Sequence, residues 1–341
     1  MIRFSEIIKD NRELDPRKKA RKGEVNLSNT GILRKDKVQE KNTLDEARVH
    51  CQKLLSLANQ VESWVQKNLI INTSFIIPVL NPIIEDNLID SLYSCLVLEG
   101  EKGNKLKAPV GPHSVDVTVF SLKIGAEMSY DNKRLSDLAM IAFLHDVGMY
   151  RIPQNILNKK GELSEAELKI IQRHPEISAG ILSKLGDEDK WMADVALQIH
   201  ERADGSGYPQ GLKEGEIHEY ASIIGLIDMY SAMIKDRPYR ERIEQNRAMR
   251  SIIASGKGKF PHKIVKAFLN QISFFPLNSY VRLNDRSVGR VITTNPNFPL
   301  KPTVEILYDS LSNKLEEARV IDLSGEPLLY ITGSVDEKDI I

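Results

Sequence analysis

Side chains that bind divalent metals recur through the middle of the chain, each beside a proline, a glycine or an apolar helical pattern. They are His113, His145, Asp146, His174, His200 and Asp228. Imidazoles and carboxylates contributed by separate segments suit a hard or borderline ion such as iron, manganese or zinc. One carboxylate can also bridge two ions a few ångströms apart. The residue types therefore indicate a metal site, and a two-metal site if one carboxylate is shared.

Three of these residues differ in how strongly they indicate a metal site. The adjacent His145 and Asp146 are weak evidence alone, because a histidine near the negative end of a helix dipole is a common structural feature. Asp228 interrupts the apolar pattern ASIIGLIDMYSAMI. A carboxylate on a core-facing helix costs several kcal/mol unless it is paired or binds a metal. On this ground a structural salt bridge and a ligand role both stay open for Asp228.

A glycine-rich stretch, HERADGSGYPQGL, follows the last of the histidines. Gly205 and Gly207 allow positive φ angles and close backbone approach, and Pro209 fixes the exit of the loop. These residues predict a rigid lip beside His200, with the ring of Tyr208 offered to a base or to a partner. A purely structural turn is the alternative.

In this order the motifs resemble the HD-GYP family, a branch of the HD phosphohydrolase superfamily. The matching motifs are His113, His145-Asp146, His174-Pro175, His200-Glu201, DGSGYP from Asp204 to Pro209, Asp228, and DRPYR from Asp236 to Arg240. The segment RIPQNILNKKGELSEAE is also similar to the family's stretch between its second and third motifs. The resemblance covers about residues 86–271.

The resemblance implies an all-helical, metal-dependent phosphodiesterase that hydrolyses cyclic di-GMP to the linear dinucleotide pGpG, to GMP, or to both. By the family's pattern, Asp146 bridges two divalent ions, iron or manganese. The implied further ligands are His113, His145 and Asp228 on one ion, and His174 and His200 on the other. Asp146 and His145 then form the catalytic centre.

Three further residues are implied to contact the substrate. Arg237 and Arg240 match family positions that contact phosphate, a task that suits the bidentate guanidinium group. Tyr208 is implied to lie against the substrate. For the arginines, surface salt bridges with Glu241 or Glu244 are the alternative.

The chain departs from the family at four positions. Met149 and Ser231 replace a Lys and an Asp that pair beside the metals, Ile199 replaces a histidine, and Pro109 replaces the Glu of members with a third metal. Loss of one preorganised charged group typically lowers turnover by about 10²–10³. We therefore expect a two-metal phosphodiesterase of reduced activity. The alternative is a catalytically silent module that binds cyclic di-GMP or docks a signalling protein at the GYP loop.

The elements that position these residues are mainly helical. Apolar residues at three-to-four spacing predict helices from about residue 43 to residue 271, and period-two segments then predict short strands. The expected fold class is mainly α, an all-helical HD-type bundle with a small C-terminal antiparallel β barrel. The predicted divisions are a flexible polar tail (1–42), an N-terminal helical segment (43–100), the HD-GYP domain (101–271) and a β-barrel-like domain (272–341).

Composition narrows the class of protein. The 47 basic and 47 acidic residues balance, so there is no electrostatic footprint for general nucleic-acid binding. The chain has only two cysteines, which argues against a disulfide framework. No apolar run approaches the ~20 residues of a membrane span, and the N-terminus lacks an apolar signal core. These features favour a cytoplasmic protein.

Overall fold

The computed structural model describes residues 30–101, 110–235, 243–256, 258–275, 277–295 and 298–335. Within these residues, helices come first, up to residue 271. Their bounds are α1 Thr30–Gln66, α2 Thr73–Glu85, α3 Ile89–Glu101, α4 Val110–Glu127, α5 Asn132–Leu144, a 3₁₀ helix Val147–Arg151, α6 Gln154–Leu157, α7 Glu165–Ile171, α8 His174–Leu182, α9 Trp191–Gln198, α10 Glu219–Ile234, α11 Gln245–Ser255 and α12 His262–Gln271.

Helix α4 is the centre of the bundle. From Ser114 to Gly125 every residue is buried, the polar and charged ones included, because other helices pack around this segment. It packs against α1, α3, α5, α10 and α12. The first turn of this central helix therefore lies where several neighbouring helices end or cross.

Helix α1 belongs to the same core as the rest of the bundle. It packs on α3, on α4 and on the 3₁₀ helix. A Cβ on Gly111 would lie 3.0 Å from the Cβ of Ala58 and 3.7 Å from the hydroxyl of Tyr150, so these segments are in close contact. At the next residue, the guanidinium of Arg151 donates a hydrogen bond to Oδ1 of Asn68, just beyond the end of α1.

The start of α1 differs from the expectation of a flexible tail through residue 42. Residues 30–42 are helical, and residues 1–29 lie outside the described part of the chain. The sequence TGILRKDKVQEKN explains the helix, since Leu, Arg, Lys, Gln and Glu are all good helix formers. High charge was the basis for predicting a tail, and charge does not oppose helix formation when both signs alternate.

The strands form one antiparallel sheet after the bundle. They are β1 Tyr280–Leu283, β2 Val288–Thr293, β3 Thr303–Tyr308, β4 Lys314–Asp322 and β5 Ile331–Val335, in the order β4-β3-β2-β1-β5. Val281 pairs with Gly289, and Val291 with Val304, so alternate apolar side chains form a buried face. The predicted antiparallel β unit is confirmed.

The predicted closure of this sheet into a barrel is not observed. β4 and β5 lie at opposite edges of the sheet, and the described residues contain no pairing between them. Short strands of four to nine residues, with a β-bulge or other irregularity in three of the pairings, leave the sheet open.

Among the described residues, no helix is both long enough and apolar enough to cross a membrane.

Candidate metal centre

All six ligand-type residues predicted from the sequence meet in one place. His113 lies in the first turn of α4, His145 and Asp146 follow α5 directly, and His174 begins α8. His200 follows α9, and Asp228 lies within α10. Their ligand atoms form two groups, each with all atoms within 4.8 Å of one another: His113, His145, Asp146 and Asp228; and Asp146, His174 and His200. Asp146 belongs to both groups.

The first group joins the central helix to α10. Nε2 of His113 lies 2.8 Å from Oδ1 of Asp228, and its Nδ1 lies 3.3 Å from the hydroxyl of Ser231, one turn further along α10. Nδ1 of His145 donates to the carbonyl of Ala142 at 2.7 Å. The same side chain points Nε2 towards Asp146, 3.6 Å from Oδ2.

The second group lies on the other side of Asp146. Nδ1 of His174 donates to the carbonyl of Ile171 at 2.7 Å, as His145 does to its own helix. Its Nε2 is 3.2 Å from Oδ1 of Asp146 and 2.8 Å from Nε2 of His200. A carbonyl only accepts, so the neutral forms of His145 and His174 carry their proton on Nδ1 and direct an Nε2 lone pair into the cluster.

Two glycines let the segments approach closely enough to form this cluster. A Cβ on Gly148 would lie 2.3 Å from the carbonyl oxygen of His174, and the Gly148 N–H donates to the hydroxyl of Ser178 at 2.9 Å. A Cβ on Gly225 would lie 2.2 Å from the carbonyl oxygen of Ile199. Any side chain at either position would push apart the backbones that carry the ligands.

The surroundings of the cluster keep its carboxylates ionised. Burial raises the pKa of Asp146, but His145 and His174 outweigh it and hold that pKa well below the usual range. Burial likewise raises the pKa of Asp228, and the hydrogen bond and charge of His113 lower it further than burial raises it. Burial lowers the pKa of His200 to about 4, against the opposing charge of Asp228. Burial lowers the pKa of His174, but the charge and hydrogen bond of Asp146 outweigh burial and raise that pKa. Ionised carboxylates and neutral imidazoles are the forms that bind metal, so a bound ion would displace a proton from His174.

The donor set fits divalent ions. Nε2 of His145 is buried and has no hydrogen-bond partner in the described part of the chain, although buried polar atoms are almost always satisfied. Nε2 of His174 and Nε2 of His200 face each other across 2.8 Å. Imidazole nitrogens aimed at one another and at shared carboxylate oxygens are arranged as ligands around a cation.

The glycine loop, residues 204–212, lies against His200 of the second group. The ring of Tyr208 lies parallel to the ring of His200, with an interplanar angle of 3° and centroids 5.0 Å apart. Gly205 and Gly211 have positive φ angles of 78° and 69°. A Cβ on Gly207 would lie 2.4 Å from Cα of Glu201, which explains glycine there. The loop therefore forms a lip beside His200, as the sequence predicted.

Some predicted positions lie elsewhere or outside the described residues. Ile199 is buried in the core, while Met149 is half-buried in the 3₁₀ helix and Ser231 contacts His113. Arg237 and Arg240 fall in the range 236–242, and Pro109 falls in the range 102–109. Both ranges lie outside the described residues. Their proposed roles stay predictions.

Sequence reasoning missed a buried ion pair next to the first group. Nζ of Lys235 lies 3.0 Å from Oδ2 of Asp116, whose side chain is 5% exposed while that of Lys235 is 35% exposed. Asp116 lies one turn after His113 on α4, and Lys235 directly follows α10. The signal was available, because Asp116 interrupts an apolar helix just as Asp228 does.

Family models match both parts of the chain. A model described as an HD domain matches residues 87–263, and one described as a KOW domain associated with HD domain matches residues 280–341. A solved structure described as an HDG"Y"P protein from Bdellovibrio bacteriovorus has a TM-score of 0.48 and 16% identity, covering 72% of this chain and 73% of that chain.

Curated relatives are phosphodiesterases of cyclic dinucleotides, named for cyclic di-GMP or, in two proteins of Vibrio cholerae, for 3'3'-cGAMP. A cyclic di-GMP phosphodiesterase of Pseudomonas aeruginosa is 30% identical over 62% of this chain and 51% of its own length. The corresponding protein of Borreliella burgdorferi is 35% identical over 55% and 50%. That of Thermotoga maritima is 36% identical over 46% and 43%. The chain thus spans about half the length of these relatives.

Proposed function

The chain belongs to the HD domain family, of the HD-GYP type, and from this premise we propose that it is a metal-dependent phosphodiesterase that hydrolyses cyclic di-GMP. The observation that carries the proposal is the position of Asp146, whose carboxylate belongs to both groups of ligand atoms. The activity of the Pseudomonas, Borreliella and Thermotoga relatives supports the choice of substrate.

Two divalent ions, iron or manganese, are the proposed cofactors. His113, His145 and Asp228 would hold one ion, His174 and His200 the other, and Asp146 both. When bound, such ions activate a water molecule as nucleophile and neutralise the charge that develops on a phosphodiester. The mixture of imidazole and carboxylate suits either metal.

The protein's own groups then define the reaction geometry. His145 and His174 are locked by hydrogen bonds to Ala142 and Ile171, so their Nε2 atoms stay directed at the reaction centre. Water attacks phosphorus in line with the departing sugar oxygen. One phosphodiester bond is broken in each event, which gives pGpG first and GMP if the second bond is also cleaved.

Substrate contacts are proposed on the open side of the centre. Tyr208 presents one ring face to His200, and its opposite face is proposed to stack on a guanine base. Arg237 and Arg240 are proposed to contact the phosphates, because DRPYR matches the family motif.

We also propose a cytoplasmic location, which fractionation of cells that express the chain would test.

The deciding experiment measures metal content and turnover together. Protein purified without chelators and supplied with iron or manganese should contain about two ions per chain and should convert cyclic di-GMP slowly to pGpG or GMP. Asp146→Asn, which keeps the size of the side chain, should abolish turnover. Protein that takes up no transition metal contradicts the proposal.

A silent binding module is the outcome that competes with catalysis. Met149 and Ser231 favour it, because they replace a charged pair beside the metals. Tight binding of cyclic di-GMP without any product, at full metal occupancy, would assign the chain to that class. Docking of a signalling protein at the glycine loop would then become the next hypothesis, tested by site-specific cross-linking from Gln210.

A further inference from the structure

Glu201 is a buried carboxylate that the metal centre does not use. It directly follows His200, yet its side chain turns away from the ligand groups and only 2% of its surface is exposed. Buried carboxylates need hydrogen-bond donors, since an ionised group in a dry site is otherwise costly. The partners of Glu201 therefore indicate what this residue does.

Those partners are three successive backbone N–H groups at the end of the glycine loop. Oε1 accepts from Gln210 at 2.6 Å and from Gly211 at 3.2 Å, and Oε2 accepts from Leu212 at 3.0 Å. Consecutive N–H groups that converge on one anion form a strong and directional contact. The carboxylate thus holds the end of the glycine loop against Glu201, the residue that follows the proposed metal ligand His200.

Other contacts hold the same fold of the loop from different directions. The Tyr208 N–H donates to the carbonyl of His200 at 3.2 Å. Gly207 lies against the backbone of Glu201 and Arg202, where a Cβ would be 2.4 Å from each. The guanidinium of Arg202 donates to the carbonyl of Glu201 at 2.7 Å and lies over the ring of Phe260.

We propose that Glu201 is a positioning residue, which ties the glycine loop to the end of α9 and so holds Tyr208 parallel over His200 as the wall of the substrate site. This inference rests on the proposed function for the identity of the substrate. The ring of His200 has its own contacts, with Asp228 at 3.8 Å and with His174 at 2.8 Å, so the tie serves the loop rather than the metals.

The main variant is Glu201→Gln, which keeps the size of the side chain but replaces one acceptor oxygen with an NH₂ group that faces N–H donors. The matched control is Glu216→Gln. Oε2 of Glu216 also accepts one backbone N–H, from Lys213 at 2.8 Å, but it is exposed and lies outside the tie. Gly207→Ala tests the same loop position with the carboxylate left intact.

We expect Glu201→Gln to raise KM for cyclic di-GMP about tenfold, which is the effect of leaving one buried hydrogen bond unsatisfied, while kcat changes by less than about threefold. Metal content should stay at the level of the parent. Hydrogen exchange in the peptide that contains residues 203–212 should be about tenfold faster. Gly207→Ala should reproduce the rise in KM, and Glu216→Gln should leave KM, kcat and exchange unchanged.

Three results would overturn the inference: unchanged loop exchange in Glu201→Gln, loss of metal from that variant, or a parallel fall of kcat, metal content and thermal stability. The last two would mean that Glu201 supports the metal site or the fold as a whole. If the parent protein has no turnover, the proposed function fails, and the dissociation constant for cyclic di-GMP replaces KM. Loop exchange needs no substrate, so an unchanged rate still overturns the tie if cyclic di-GMP does not bind.

Discussion

Asp146 is the residue on which both ligand groups depend. Asp146→Ala should remove both metal ions, whereas His174→Ala should remove only the ion of the second group and leave about one ion per chain. His218→Ala is the control, because that histidine belongs to neither ligand group: it caps α10, where Nδ1 accepts from the Tyr220 N–H at 3.1 Å, and it stacks on Trp191. Elemental analysis of the variants measures this directly. An Asp146→Ala protein that keeps one full ion would show that the carboxylate is not shared.

Met149 and Ser231 are expected to limit the rate. A lysine at 149 would supply positive charge where the transition state gathers negative charge, and an aspartate at 231 would hold it in position. We expect Met149→Lys with Ser231→Asp to raise turnover by more than the two single changes combined, because an unpaired charge near the site is costly to desolvate.

Single-turnover rates of these four proteins at equal metal occupancy give the coupling between the two positions. Ser231 already contacts Nδ1 of His113 at 3.3 Å, so Ser231→Ala is a useful fifth protein. If the double variant is no faster than the parent, the chain has adapted to another substrate or has lost catalysis.

Single residues with a motif were predictable from the sequence, and residues defined by contacts were not. The six ligand-type positions follow a recognisable order, and the structure gathers them. The hydrogen bonds of Glu201 join residues nine to eleven positions apart through a loop whose path the sequence does not reveal. The Asp116–Lys235 pair joins positions more than one hundred residues apart in the sequence. Only Asp116 was noticeable there, as an acidic residue in an apolar helical pattern.

At the scale of elements, Gly148 and Gly180 make a contrasting pair. Gly148→Ala would drive a methyl group to 2.3 Å from the carbonyl oxygen of His174, so we expect the free energy of unfolding to fall by about 1–3 kcal/mol, together with partial loss of metal. Gly180 lies in the exposed face of α8 with nothing within 4 Å of a Cβ. Gly180→Ala should raise the free energy of unfolding by about 0.5–1 kcal/mol.

Chemical denaturation of both variants measures the two changes. Equal effects of the same sign would mean that the contact between the 3₁₀ helix and α8 relaxes easily.

The ion pair between α4 and α10 should respond asymmetrically to substitution. Lys235→Met leaves the buried carboxylate of Asp116 without its cation and should lower the free energy of unfolding by about 2–3 kcal/mol. Asp116→Asn leaves a lysine that is already 35% exposed and can reach water, so its effect should be about 1 kcal/mol or less. Melting curves at neutral pH would reveal the difference, and a larger effect of Asp116→Asn would contradict it.

The existence and order of the elements were predictable from the hydrophobic period of the sequence. The start of α1 and the open form of the sheet were not. Helix α1 begins at Thr30 because helix-forming charged residues extend it beyond its apolar stripe. The sheet stays open because closure depends on the pairing of β4 with β5, which are separated in sequence by only a short connection and lie at opposite edges. Alternation within each strand predicts a buried face and does not predict which edges meet.

For the whole molecule, the junction between bundle and sheet determines which truncations fold. Ile272, Phe274 and Phe275 are buried in the core that the helices share. A chain that ends at Phe275 should keep its metal, whereas one that ends at Gln271 loses three buried side chains, each contributing about 1.5–3 kcal/mol.

Metal content and solubility of the two fragments test this expectation. The sheet also contacts the bundle through Asn246, whose amide donates to Ser334 at 3.2 Å, so a modest fall in melting temperature is expected even for the longer fragment. If both fragments are equally soluble and metal-loaded, the three apolar residues belong to the sheet alone.

The packing of α1 on the 3₁₀ helix limits how this chain can exchange parts with others during evolution. Recombination between residues 68 and 110 would bring Gly111, Tyr150 and Arg151 together with a foreign segment lacking their partners Ala58 and Asn68. Such hybrids would inherit every metal ligand and still misplace the segment that follows Asp146. Viable breakpoints are therefore expected ahead of Ala47, the first buried residue among the described side chains of α1, or beyond Phe275. The unit of inheritance is larger than the set of motifs by which the family is recognised.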